Sequence, residues 1–240
     1  MPAEVAPSYL WVPELPDTGG EVELPDEEAH YLRRVIRARP GDLALATDGR
    51  GALAELRLGG AGRGLRARVE RIERLDRAAA RRRALLLCGT PEGTRADWMV
   101  EKLAELGVDA FQPLDCARGR WRAGPAAMAR WARLAVAALR QSRRRFLMEV
   151  RKPQAIAEIE PGLPESNHRW VLDPGGPGGV SPAAGSGWSV ALVGPASGLD
   201  PDEKRWLATL GFRPMCLSDG RLRTETAAVA WSAWWASGGI

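Results

Sequence analysis

At 240 residues and 45% hydrophobic content the chain has room for two modest globular domains, and no apolar run approaches the ~18 residues of a membrane span. Its first residues lack both a basic start and an apolar signal core, which points to the cytoplasm. Cys88, Cys116 and Cys216 and the histidines His30 and His168 are too scattered for a disulfide framework or a zinc site, so no metal is expected. Net charge is +4, and only three of the 34 basic residues are lysine. Arginine reads phosphate bidentately and stacks on bases, which suits RNA, although a GC-rich genome produces the same bias.

Residues 9–12, 21–24, 43–46, 52–56 and 65–69 are short apolar or alternating runs. They are separated by turn chemistry such as Asp48-Gly49-Arg50-Gly51 and Gly59-Gly60-Ala61-Gly62. This spacing predicts a small β-barrel over residues 1–75 with one helix at 27–37, opened by Pro25-Asp26-Glu27-Glu28. Residues 76–83 break the apolar pattern and read as a linker. From 84 onward strands and helices alternate: a strand from 84, a helix at 94–106 with Thr94 and Asp97 in capping-box spacing, a strand at 108–114 and a helix at 125–142. Strands follow near 169–172 and 190–193, then a helix at 201–210, a strand at 213–217 and a last helix from 224. Alternation of this kind implies an α/β domain with a mostly parallel sheet over 84–240. The Gly/Pro-rich tract at 173–187 reads first as a solvent loop and second as a lid.

Two apolar strands that each end in a tight polar loop before a helix make a place where a nucleotide-like ligand can rest, since open α/β sheets bind at the carboxyl ends of their strands. The first is 190–193 with Gly194-Pro195-Ala196-Ser197-Gly198-Leu199, and the second leads through 217–222 into Leu222-Arg223-Thr224-Glu225-Thr226-Ala227. Asp200-Pro201-Asp202-Glu203 is also a complete helix start, so that loop has a purely architectural explanation beside the functional one. Arg33, Arg34, Arg37 and Arg39 concentrate cations on the barrel helix, whereas Arg140, Arg143, Arg144 and Arg145 are a weaker basic patch at a helix end. Lys102 and Glu105 fit an ordinary helical surface pair. Trp231, Trp234 and Trp235 fall at helical spacing, and three tryptophans exceed what one small core ordinarily takes, so they predict a homodimer interface on the last helix.

Taken together, these segments resemble the RsmE family of S-adenosylmethionine-dependent enzymes of the SPOUT class, which methylate N3 of a uridine in 16S ribosomal RNA, uridine 1498. The resemblance is carried by Gly194-Pro195, Gly198-Leu199, Asp202-Glu203, Leu210-Gly211-Phe212 and Leu222 to Ala227. Earlier blocks are His30-Tyr31-Leu32-Arg33-Arg34-Val35-Ile36-Arg37 with Pro40-Gly41-Asp42 and Asp48-Gly49, Lys102 to Val108, Pro113-Leu114 with Arg118, and more faintly Gln141-Ser142 with Arg144 and Glu149. It implies a PUA-like barrel followed by a trefoil-knotted SPOUT methyltransferase domain, a homodimer, and 16S ribosomal RNA or the small ribosomal subunit as partner. It also implies S-adenosyl-L-methionine held by Leu172, Val193, Gly194, Pro195, Gly198, Leu217, Ser218, Leu222 and Thr224.

Attack by uridine N3 requires loss of its proton, so an arginine beside the uracil oxygens and a carboxylate to accept the proton are the groups to seek. Arg118 and Arg223 are the arginine candidates and Glu225 the base, with Arg33, Arg34, Arg37 and Arg144 for RNA. The chain departs from the family pattern in both cofactor loops. Gly-Pro-Ala-Ser-Gly replaces Gly-Pro-Glu-Gly-Gly at 194–198, Leu-Ser-Asp-Gly replaces Leu-Gly-Pro-Arg at 217–220, and Ala117 replaces a glutamate before Arg118. A serine where glycine is usual reshapes a loop if that position needs positive φ. Three readings follow: an N3-uridine methyltransferase in which Asp219 and Arg221 supply the missing polar groups, a SPOUT methyltransferase with another RNA target, or an inactive RNA-binding or ribosome-assembly factor.

Overall fold

The computed structural model describes residues 7–61, 64–76, 82–91, 95–121, 124–166, 168–178 and 187–238. Thr94 and residues 179–186 of the Gly/Pro tract lie outside them. The chain forms two compact units, one of residues 1–78 with 139–147, the other of 79–138 with 148–240.

In the first unit, β1 (Ser8–Trp11), β2 (Glu21–Glu23), α1 (Asp26–Tyr31), β3 (Leu43–Thr47), β4 (Ala52–Ala61) and β5 (Leu65–Arg74) build a five-stranded sheet of order β1-β3-β4-β5-β2. Period-two burial drives it: Leu65, Ala67 and Val69 of β5 face the core while Arg66 and Arg68 face solvent. Register shifts between Glu55 and Leu56 and between Leu58 and Ala61 bend the β4–β5 pair. The helix expected as one piece over 27–37 is α-helical only to Tyr31. It widens into a π-helical turn, Leu32–Ile36, and ends at Arg37 with φ 59°. The wider turn puts Leu32 into the core and leaves Val35 and Ile36 exposed, in a run whose β-branched residues hold an α-helix poorly.

Two of the four arginines in the run expected as a basic patch are paired with acids. Arg140 pairs with buried Glu28 at 2.8 Å and Arg145 with Glu73 at 3.1 Å. Arg143 adopts φ 52° and donates to the Pro7 carbonyl, while the carbonyl of half-buried Arg144 accepts from the Tyr9 hydroxyl at 2.9 Å. Segment 139–147 therefore clasps the sheet of the first unit, and its cations balance acids there.

Burial pushes the Glu28 carboxyl above the ordinary carboxylate range, against the pull of Arg140 and of the Trp11 amide. With the folded value raised, the folded state keeps a proton that the unfolded chain has lost. The stability Glu28 contributes is thus intact below the unfolded pKa and is lost as pH rises through the folded one. We expect the stability of the wild type relative to Glu28→Gln to decline as pH rises above the ordinary glutamate value of about 4.3. Paired thermal melts check this, and a difference that stays flat with pH would contradict the assignment.

In the second unit the elements are β6 (Arg82–Cys88), α2 (Arg95–Leu106), β7 (Ala110–Asp115), α3 (Pro125–Gln141), β8 (Glu149–Val150), β9 (Gln154–Ala155), β10 (His168–Leu172), β11 (Gly187–Val193), α4 (Pro201–Thr209), β12 (Arg213–Met215) and α5 (Thr224–Ser237). Residues of α3 beyond Ala138 belong to the first unit. The sheet is parallel, of order β12-β10-β11-β6-β7-β8, with β9 beside the end of β7. Strand β6 starts inside the stretch expected to be a linker. Arg82 and Arg83 pair with Gly187 and Trp188, and the Arg83 guanidinium lies 4.0 Å over the Trp188 ring, so the arginines join the sheet through their apolar stems and ring contacts. Lys102 on α2 reaches Glu105 at 2.7 Å and Glu101 at 2.8 Å, the surface pairing its spacing suggests.

The tryptophans of α5 divide between the interior and the surface of the subunit. Trp231 and Trp235 are buried within the subunit, stacked at 6.4 Å and 18°, with the Arg82 guanidinium over Trp235. Helical spacing groups residues on one face but does not say what that face meets, and here α5 packs on α2, β6 and β11. Trp234 alone of the three is half-exposed. No helix among the described residues is long and apolar enough to cross a membrane.

Candidate cofactor site

Strands β10 and β11 lie side by side and end together, Leu172 opposite Val193. Beyond their carboxyl ends opens a cavity of about 680 Å³. Its wall takes Leu172 from β10, Val193, Gly194, Pro195 and Gly198 from the end of β11, and Leu222, Arg223, Thr224 and Glu225 from the start of α5. Leu217 and Ser218 line a small adjoining cavity that shares Leu172 and Leu222 with the first.

The loop after β11 is a tight turn, with the Gly198 amide on the Pro195 carbonyl at 2.8 Å. Gly198 has φ +78°, where an L side chain is strained. Two bonds join this turn to the start of α5: the Thr224 hydroxyl donates to the Gly194 carbonyl and the Arg221 guanidinium to the Ala196 carbonyl, each at 3.1 Å. Helix α4 begins with a complete capping box between Asp200 and Glu203. The turn is therefore fixed at both ends.

Charge gathers on the same wall. Lys204 pairs with Asp173 at 2.5 Å, and that contact, with the Gly175 amide, holds the Asp173 carboxyl below its usual range. Arg221 and Arg223 are exposed beside it. Glu225 is buried with one oxygen 3.2 Å from Arg95 Nε, while its Oε2 is buried without a hydrogen-bond partner among the described residues. Arg118 does not line the cavity. It is exposed at the tip of the loop after β7, and its carbonyl accepts from the Ser197 hydroxyl at 2.6 Å. Arg33, Arg34 and Arg37 are exposed on the first unit. Sequence reasoning placed Asp173 and Pro174 only in the tract read as a loop or lid, and it did not single out Lys204. Lys204 had no local signal, since it reaches Asp173 from 31 positions away.

A family described as an RNA methyltransferase domain matches residues 79–236, and one described as an RNA methyltransferase PUA domain matches residues 24–65. Ribosomal RNA small subunit methyltransferase E of Mycobacterium bovis is 31% identical over 237 residues, covering 91% of this chain and 87% of that protein. This chain belongs to the ribosomal RNA small subunit methyltransferase E family. The RsmE structure from Neisseria gonorrhoeae, bound to S-adenosyl methionine, superposes with a TM-score of 0.83 at 26% identity, covering 95% of this chain and 96% of that one. A methyltransferase structure from Legionella pneumophila shares the fold, with a TM-score of 0.81 at 23% identity over 97% and 98% of the two chains. The chain is thus an α/β RNA methyltransferase of the SPOUT type with a small PUA-like domain before it.

The departures from the RsmE pattern do not disturb the turn. The left-handed position is Gly198, which is retained, while Ser197 has ordinary negative φ and uses its hydroxyl on Arg118. In the second loop Ser218 Oγ accepts from the Gly220 amide at 3.2 Å, closing the turn.

Proposed function

We propose that this chain transfers the methyl group of S-adenosyl-L-methionine to N3 of a uridine in 16S ribosomal RNA, the position corresponding to uridine 1498 of the family's substrate. The observation that carries the reading is the cavity at the paired ends of β10 and β11, whose wall combines apolar Leu172, Val193 and Leu222 with the Gly198 turn and the partnerless Glu225 oxygen. An apolar wall with backbone polar groups beside it fits a cofactor that joins an adenosine to an amino-acid tail.

The cofactor supplies a methyl group on a positively charged sulfur, already a good leaving group. What the protein adds is position and charge. Leu172, Val193, Gly194, Pro195, Gly198, Leu217, Ser218, Leu222 and Thr224 hold the donor, and the rigid turn fixes where its methyl points. Arg223 and Arg118 stabilise the negative charge that grows on the uracil oxygens as N3 loses its proton. The Glu225 oxygen without a partner accepts that proton, so the N3–H bond breaks as the N3–carbon bond forms and the sulfur–methyl bond breaks, its electron pair returning to sulfur as S-adenosylhomocysteine leaves. Arg33, Arg34, Arg37 and Arg144 serve the RNA backbone, the first two from the π-helical turn and Arg37 from its C-cap. The small ribosomal subunit is the partner and the cytoplasm the place of action. A trefoil knot and a homodimer through α5, centred on half-exposed Trp234, complete the reading.

Calorimetric titration with S-adenosylmethionine and S-adenosylhomocysteine, followed by mapping of methyluridine in ribosomal RNA, tests it. Micromolar binding near one cofactor per chain and a methyl mark on uridine N3 are expected. A folded protein that binds neither ligand would instead be an RNA-binding or assembly factor, and a mark elsewhere would redirect the target.

A further inference from the structure

Three loops meet at the carboxyl edge of the sheet, and one of them carries Arg118. After β7, Cys116 and Gly119 exchange backbone bonds at 2.8 and 3.1 Å, leaving Ala117 and Arg118 as a two-residue tip. That tip is tied to the segment that begins with the cofactor turn. The Ala117 amide donates to Glu203 Oε1 at 2.7 Å, and the Ser197 hydroxyl donates to the Arg118 carbonyl at 2.6 Å. Glu203 is buried, and its second oxygen accepts from the Asp200 amide at 2.8 Å, so the carboxylate that closes the α4 capping box also anchors the tip. Pro195 fills the space between: a Cβ at Gly119 would stand 2.8 Å from Pro195 Cβ, and one at Gly89 would collide with the Pro195 nitrogen.

We infer that Ser197 is a positioning residue for Arg118. This rests on the role proposed above for Arg118. The tip is exposed, and a two-residue hairpin held at one side alone leaves its second residue free to swing. The serine hydroxyl supplies the other side, and it does so from the turn that bears Gly194 and Gly198 on the cavity wall. Cofactor turn and the Arg118 backbone are thereby held in one frame, which narrows the region its guanidinium can reach and lowers the ordering cost of the reactive arrangement. The family pattern has glycine at this position, which cannot make the bond, so the device belongs to this chain.

Four variants decide it, Arg118→Ala, Ser197→Ala, Ser197→Thr and the double Arg118→Ala/Ser197→Ala, each assayed for methyl transfer to small-subunit RNA and for cofactor affinity by calorimetry. Arg118→Ala is expected to lower kcat about 100-fold. Ser197→Ala should lower it about 10-fold with cofactor Kd changed less than about twofold, and Ser197→Thr, which keeps the hydroxyl, should recover most of the loss. The double variant should be no slower than Arg118→Ala alone, because the serine acts through the arginine. A Ser197→Ala enzyme at full rate beside an impaired Arg118→Ala enzyme would overturn the inference and leave the Arg118 role standing. Additive losses, or a Ser197→Ala defect confined to cofactor affinity, would also overturn it. An Arg118→Ala enzyme at full rate would remove the role of Arg118 itself, and the inference with it.

Discussion

Replacing Glu225 by glutamine is expected to lower kcat for methyl transfer about 100-fold or more, with the fold intact. Glu225 is 4% exposed, the second residue of α5, and held by Arg95 through one oxygen only. Its other oxygen reaches no donor and belongs to a side chain in the cavity wall. Glutamine keeps the shape and can keep its carbonyl oxygen on Arg95. The atom in place of the free oxygen is then an amide NH2, a donor where an acceptor stood, and it cannot take a proton from uridine N3. Loss of the negative charge beside Arg95 also weakens that contact, so a modest fall in stability accompanies the loss of rate. Single-turnover transfer to ribosomal RNA at saturating cofactor isolates the chemical step from binding, and circular dichroism reports the helix. If kcat stays near the wild-type value while cofactor Kd rises by a comparable factor, the free oxygen holds the cofactor's tail and Glu225 is not the base.

The cofactor loops were legible because their determinants are local. A strand ending in Gly-Pro, a positive-φ glycine three residues on and a capping box at Asp200 to Glu203 are all written within ten positions. The alternation of strands and helices after residue 84 was legible for the same reason, apart from β8 and β9, which at two residues each are too short to show a period. What the sequence hid depends on partners far away along the chain. The second use of Glu203, on the Ala117 amide, spans 86 positions, and the Arg140–Glu28 pair spans 112. Arg140, Arg143, Arg144 and Arg145 look like a binding patch until the acids opposite two of them are known. The π-helical turn at Leu32–Ile36 has no compositional signature beyond two adjacent β-branched residues, so periodicity placed a plain helix there.

The tryptophans of α5 separate stability from assembly, and Trp231→Ala carries the largest stability effect expected in this chain. Trp231 is fully buried and stacked on Trp235, 6.4 Å between ring centroids, so truncation leaves a large cavity under α5 and costs about 3–5 kcal/mol. Because α5 also begins the cavity wall with Thr224 and Glu225, loosening the helix weakens cofactor binding along with the fold. Trp234→Ala differs. That ring lies 6.5 Å from Trp231 but remains half-exposed, so its removal is expected to cost the monomer about 1 kcal/mol or less. The same ring is the center of the proposed dimer contact, where a large aromatic is the kind of residue that carries an interface. Denaturant titration combined with sedimentation resolves the two roles: Trp231→Ala shifts the unfolding midpoint, whereas Trp234→Ala shifts the monomer–dimer equilibrium toward monomer at unchanged m-value. A Trp234→Ala protein with wild-type association would place the dimer contact elsewhere than this face, since the other two rings of the trio are already committed to the interior of the subunit.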